Sequence, residues 1–165
     1  MPGIDRLGIP AYQWWGEAQH GVCQSPSVQF RAPTPVGTSF PEPGLTAATF
    51  DKELFSEVGT TIGTEGRAMA NAGNAGLTFW APNINIVRDP RWGRLLETPG
   101  EDPYLTSQYA IHFVKGVQGV DPSGRGYLQA ASTPKHYAGY NLDNWHNMDR
   151  CALLVLLWVV LKMLR

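Results

Sequence analysis

Apolar residues recur along this chain with two spacings. Residues 9–15 (Ile-Pro-Ala-Tyr-Gln-Trp-Trp) form a short run ending in aromatics, which predicts a buried strand. From Thr46 the spacing changes. Ala47, Phe50, Leu54, Val58 and Ile62 return at three- and four-residue steps, one face of an amphipathic helix. Asp51 and Glu53 lie near its start, where unpaired N–H groups favour negative charge, and Gly73 and Gly76 close it. Residues 76–82 (Gly-Leu-Thr-Phe-Trp-Ala-Pro) are a compact apolar stretch between two breakers, which predicts a second strand. Asp102-Pro103 predicts a helix start: a side-chain acceptor, then a proline whose missing N–H has no partner to lose there. Leu105, Tyr109, Phe113 and Val117 supply that helix's stripe, and Gly119 stops it. Residues 128–133 read as a third strand running into Lys135-His136.

Polar stretches separate these elements. Residues 23–44 are rich in Pro, Ser, Thr and Gly and read as a long surface loop, and residues 83–100 as a polar, Arg-rich one. Strands that alternate with helices argue for an α/β fold with a parallel sheet. The unusual residues cluster just after the strands, the end at which such sheets bind ligands. The last fifteen residues, 151–165, depart from this pattern, with eleven apolar or small residues from Cys151 and then Lys162. A membrane span needs about 20, so the run suits a buried helix better, but it has no polar face.

Composition narrows the function classes. The formal net charge is −1 and there is no Lys/Arg run, so neither nucleic acid nor an anionic membrane is an expected partner. Eighteen glycines and 13 prolines imply much loop. Residues 1–7 show no charged stretch leading into an apolar one, so no signal peptide is visible, and no Asn-x-Ser/Thr acceptor occurs. The two cysteines, Cys23 and Cys151, read as free thiols of the small, buried kind. No His/Cys/carboxylate spacing suggests a metal site, and no glycine-rich phosphate loop is present.

Four stretches carry a family resemblance. They are Trp14-Trp15-Gly16-Glu17-Ala18-Gln19-His20-Gly21; Phe40-Pro41 with Ala47-Ala48-Thr49-Phe50-Asp51; the long run from Phe79-Trp80-Ala81-Pro82-Asn83-Ile84-Asn85 through Asp89-Pro90-Arg91-Trp92-Gly93-Arg94 to Glu97-Thr98-Pro99-Gly100-Glu101-Asp102-Pro103; and Lys135-His136-Tyr137-Ala138-Gly139-Tyr140. In this order and spacing they resemble family 3 glycoside hydrolases, over roughly residues 6 to 150. The tryptophan pair with Glu17, and Ala81 to Asn85, look most like the fungal exo-β-1,4-xylosidases.

The resemblance implies a partial (β/α)8 TIM-type barrel, its first three strands and their helices, since a complete barrel needs about 250 residues. It implies that residues 1–150 are the N-terminal part of the barrel domain. Residues 151–165 are unlike the family and are expected to be a frame or gene-model artefact. It implies that Glu17, Arg94, Lys135 and His136 bind the non-reducing-end sugar of a xylo-oligosaccharide, Glu17 as acceptor, Arg94 and Lys135 as donors, His136 as either. Read alone, each has a structural alternative: Glu17 as a helix cap, Arg91 and Arg94 paired with Glu97, Glu101 or Asp102, and Lys135-His136 as a solvated loop. Arg91 is assigned to that structural role, His20 and His112 are expected to be structural, and Trp14 and Trp15, which could offer an apolar face to the sugar ring, are expected in the core instead. A retaining glycosidase needs a nucleophilic carboxylate and an acid/base, and no cofactor. In the family the motifs for both belong to a later barrel strand and beyond, and neither occurs in these residues, so no catalytic residue is assigned here. The resemblance implies a secreted parent enzyme, and a polypeptide that alone is poorly soluble and inactive. The alternatives are a non-catalytic sugar-binding fragment and a non-functional truncated product.

Overall fold

The computed structural model describes residues 1–119, 126–150 and 152. Two helices carry most of its packing. Helix α1 spans only Pro43–Ala47, α2 Lys52–Asn71 and α3 Pro103–Gln118. Asp51 caps α2, its Oδ1 accepting the N–H of Glu53 at 2.9 Å and of Leu54 at 3.1 Å. Asp102 caps α3 in the same way, through Tyr104 at 3.2 Å and Leu105 at 2.8 Å, with Pro103 following as the sequence predicts. Such side-chain oxygens replace the intrahelical partners that first-turn N–H groups lack.

Helix α2 buries Phe55, Val58, Ile62 and Met69, and α3 buries Tyr109, Phe113 and Val117. The two meet backbone to backbone. A Cβ placed on Gly59 would stand 2.4 Å from the Phe113 carbonyl oxygen, and one on Gly63 2.4 Å from that of Val117. Only glycine permits that approach.

Strand β1, Thr78–Phe79, pairs in parallel with β2, Ala131–Ser132. On the other side of β1, Gly16 joins Phe79 through a parallel bridge, and the Trp80 N–H donates to the Gly16 carbonyl at 2.8 Å. The three segments therefore lie side by side in chain order and run the same way, the α/β parallel arrangement that the alternation predicts. Phe79 is fully buried between this sheet and α2.

Several expectations change. Residues 9–15 are not a buried strand. Ile9 makes an isolated antiparallel bridge to Ile4, parallel pairing begins only at Gly16, and Trp14 and Trp15 are 51% and 45% exposed. A short apolar run does not distinguish a core strand from an aromatic surface stretch, and here the rings pack on other rings: Tyr12 and Trp14 meet edge to face, and Trp15 stacks on Trp80. The first long helix begins at Lys52, not Thr46. Ala47 belongs to α1, while Phe50 takes a φ of 56° and is exposed, so Phe55 fills its place in the stripe. The cause is Asp51, whose capping geometry needs extended backbone just where the helical pattern would have run through. Within 128–133 only Ala131 and Ser132 form strand, and Leu128 is exposed.

Strands β3, Asn144–Trp145, and β4, Met148–Asp149, form an antiparallel hairpin that the sequence pattern did not announce. Its two turn residues, His146 and Asn147, both have positive φ, as a two-residue hairpin of this twist requires. Cys23 is exposed rather than buried. Cys151 and, Ala152 apart, the apolar tail 151–165 lie outside the described residues.

Candidate functional site

Because the three parallel segments point the same way, the residues just beyond each of them arrive at one end of the sheet. Glu17 comes after the first, Asn83 and Asn85 after the second, Lys135 and His136 after the third. Pairing continues beyond β1 and β2 through a parallel bridge between Asn83 and Lys135. Lys135 Nζ then lies 3.0 Å from Glu17 Oε2, an ion pair across 118 residues of sequence, with side-chain exposures of 11% and 24%. The other carboxylate oxygen, Oε1, accepts the indole N–H of Trp15 at 2.9 Å.

Arg94 comes to the same place from the long loop after β1. Its Nε and Nη2 donate to the two Glu97 oxygens at 2.6 Å each, and Nη1 donates to the Tyr140 hydroxyl at 3.2 Å. A two-pronged pair of this kind fixes the guanidinium plane and leaves N–H groups free to donate elsewhere. Glu17, Arg94 and Lys135 line one open cavity of about 270 Å³, together with Gln19, Cys23 and Glu97. His136 lines an adjoining cavity of about 260 Å³, which Lys135 shares. The structure thus gathers three of the four expected residues around one space and sets His136 beside it.

Asn85 decides how His136 is presented. The Asn85 Nδ2 donates to the Tyr140 carbonyl at 2.8 Å, and its Oδ1 accepts the His136 backbone N–H at 2.8 Å. That orientation leaves the same Oδ1 facing His136 Nδ1 at 2.8 Å, so Nδ1 carries the proton. The pKa of His136 is pushed down to about 4, first by burial, then by the neighbouring Arg94 and Lys135 cations. At neutral pH the ring is therefore uncharged, and its Nε2 is an acceptor.

The other charges fit this picture. Burial works against the Glu97 carboxylate, but the Arg94 hydrogen bond and the surrounding cations outweigh it and hold its pKa below the ordinary value. Arg94 is correspondingly held in its charged form by Glu97. The Cys23 thiol, at the rim, is pushed up by partial desolvation and by the Glu17 carboxylate, against the pull of Lys135. Among the described residues no group of three His, Cys, Asp or Glu side chains is placed to hold a metal.

Arg91 has a structural partner, though not one of those expected. Its Nε donates to Asp89 Oδ1 at 2.8 Å, and its guanidinium lies 3.8 Å from the Trp145 ring centroid, pinning the hairpin. Arg94 does pair with Glu97, and still lines the cavity. His20 is held by the Phe40 carbonyl and by Glu42, at 3.1 and 3.4 Å. The sequence reading missed Asn85, Gln19 and Tyr140. Their signal was present in part: Asn83 and Asn85 are two amides placed two residues apart directly behind an apolar strand, and the structure buries both.

Comparison with known proteins identifies the family of the chain. The family model described as glycosyl hydrolase family 3 N terminal domain matches residues 6–149. Beta-D-xylosidase 3 of Arabidopsis thaliana is 53% identical over 149 residues, which is 90% of this chain and 19% of that protein. A probable exo-1,4-beta-xylosidase of Aspergillus clavatus is 52% identical over 151 residues, again 90% and 19%. Among solved structures, a GH3 exo-beta-xylosidase in complex with a xylobiose aziridine activity-based probe superposes with a TM-score of 0.79 at 44% identity, over 90% of this chain and 19% of that one. The chain spans about a fifth of the length of the curated relatives it matches.

Proposed function

We propose that this chain, which belongs to glycosyl hydrolase family 3, forms the sugar-gripping part of a retaining exo-β-1,4-xylosidase that releases xylose from the non-reducing end of xylo-oligosaccharides. The observation that carries the reading is the Glu17–Lys135 pair, joined across the parallel segments, with Arg94 on the same cavity. A sugar presents a ring of hydroxyls, each both donor and acceptor. This cavity offers an ionised acceptor and two cationic donors at fixed positions, and charged partners make the stronger hydrogen bonds. His136 adds a neutral acceptor from the adjoining wall.

In this reading the described segments are the first three strands of a TIM-type barrel with their helices, and the site lies where such barrels bind substrate. The reaction needs two carboxylates and water, and no cofactor. Neither carboxylate is assigned to a residue of this chain, whose part in this reading is to hold the sugar. Glu17 also carries the preference for xylose. Xylose lacks the hydroxymethyl arm of glucose, and a glutamate, one methylene longer than aspartate, fills that space while still accepting hydroxyl hydrogen bonds.

The test is sugar binding by the folded chain and its Glu17→Ala variant. Saturable binding of xylose, weaker for glucose and lost in the variant, is expected. Equal affinity for the two sugars removes the basis for a xylose preference. Measurable hydrolysis of nitrophenyl xyloside by the chain contradicts the division of labour between binding and catalysis.

A further inference from the structure

A glutamate is a flexible ligand with several rotatable bonds, and its value in a binding site depends on what holds its carboxylate still. Glu17 is held at both oxygens: Oε2 by the Lys135 ammonium at 3.0 Å and Oε1 by the Trp15 indole N–H at 2.9 Å. Lys135 belongs to the resemblance. Trp15 is expected from the sequence to lie in the core, yet it is 45% exposed, so its burial does not explain it.

The setting of the indole is specific. Its ring lies almost parallel to that of Trp80, at an interplanar angle of 9° and 5.2 Å between centroids. Trp80 is itself fixed in the sheet, its N–H on the Gly16 carbonyl at 2.8 Å and its carbonyl accepting Gln19 Nε2 at 3.4 Å. The stack sets the plane of the Trp15 ring, and that plane aims the N–H at Glu17. A carboxylate can accept about four hydrogen bonds, so the two holding it leave lone pairs free for a ligand.

We propose that Trp15 is a positioning residue for sugar selection: its indole N–H, with the Lys135 ammonium, locks the Glu17 carboxylate so that its remaining lone pairs meet the sugar hydroxyls. This rests on the sugar-binding reading of the same cavity. A locked Glu17 cannot swing aside, so it excludes a hydroxymethyl arm as well as gripping xylose. An unlocked one pivots, holds xylose less well and yields space to glucose. Trp15 therefore acts through Glu17, and its loss changes the ratio of the two affinities as well as their size.

The experiment uses Trp15→Phe, which keeps an aromatic ring on Trp80 and removes the N–H, alongside Glu17→Gln. In the first arm, xylose and glucose are titrated against the wild type and Trp15→Phe. The expected result is an affinity for xylose about tenfold weaker, the loss associated with one hydrogen bond to a charged group, with a smaller loss or a gain for glucose. Unchanged affinities, or an equal loss for both sugars, overturn the proposal, because an equal loss is what general damage to the fold produces.

In the second arm the indole N–H resonance of Trp15 is followed by NMR with ¹⁵N labelling. It is expected to move upfield in Glu17→Gln, where a charged acceptor becomes neutral. No movement overturns the clamp itself. If the wild type binds neither sugar while the indole resonance does respond to Glu17→Gln, the clamp stands as geometry, the sugar-binding reading fails, and the assigned role in selection is overturned with it.

Discussion

Lys135 and Glu17 each depend on the other's charge. With the Lys135 side chain 11% exposed, replacing it by methionine leaves a carboxylate in a partly dry place without its cation. Stability is expected to fall by about 1–2 kcal/mol, less than for a fully buried pair because Glu17 retains some water contact. A double-mutant cycle with Glu17→Gln, read by urea denaturation, should return a favourable coupling, and additive losses would mean that the pair contributes nothing as a pair.

His136 gives the site a pH dependence whose sign follows from its depressed pKa. The ordinary value is 6.5 and the folded value about 4. Between them the unfolded chain binds a proton that the folded chain does not, so stability is full above about 6.5 and is lost as pH falls toward 4. Urea midpoints at pH 7 and pH 5 should therefore differ by less in His136→Gln than in the wild type. An equal drop in both proteins would place the acid sensitivity elsewhere.

At the scale of elements, the α2–α3 contact has no room for one more methyl group. Gly59 and Gly63 sit against carbonyl oxygens of α3. Gly63→Ala should cost about 1–3 kcal/mol by overpacking, in spite of alanine's better helix propensity. Gly93→Ala, with nothing within 4 Å of the added carbon, is the control and should be nearly neutral. Thermal unfolding of the two variants separates close packing from the mere addition of a methyl group.

The same elements show what was legible in the sequence. The cap Asp102-Pro103 and the stripe Leu105, Tyr109, Phe113 and Val117 define α3 because local hydrogen bonding and periodicity agree there. They disagree at residues 46–51: the apolar spacing runs on, but Asp51 captures the Glu53 and Leu54 N–H groups and starts a new helix, leaving Phe50 outside. The run 9–15 failed for a related reason. Its aromatic rings find partners in Trp80 and in each other, and spacing along a chain does not show a stack across the sheet.

For the whole molecule, the parallel order of the three segments is what turns a scattered set of residues into a site. Glu17 and Lys135 are 118 residues apart and meet only because Gly16, Phe79 and Ser132 lie on adjacent, co-directed segments. The family resemblance indicated which residues to watch, and for Glu17, Arg94 and Lys135 the cavity brings them together. What the sequence alone left open was the manner of holding: the two-pronged Arg94–Glu97 pair, the Asn85 amide that fixes the His136 tautomer, and the indole on Glu17. Each of these is a contact between side chains, fixed only once the sheet and its loops exist.

A larger cavity of about 770 Å³ lies elsewhere, between α2 and the segment leading into β2, bordered by Thr64, Arg67 and Tyr127. Arg67 there donates to the Gln129 and Leu128 carbonyls, which is a structural use of its charge, and the described residues lining the cavity include no carboxylate to pair with it. Size and chemistry point to different places, and the sugar-site account follows the chemistry.

The most direct test of that account is a titration of the ¹⁵N-labelled chain with xylose, followed by NMR. The account predicts saturable shifts confined to Glu17, Arg94, Lys135, His136 and their neighbours. Shifts centred on Thr64, Arg67 and Tyr127, or no saturable shift at all, would contradict it.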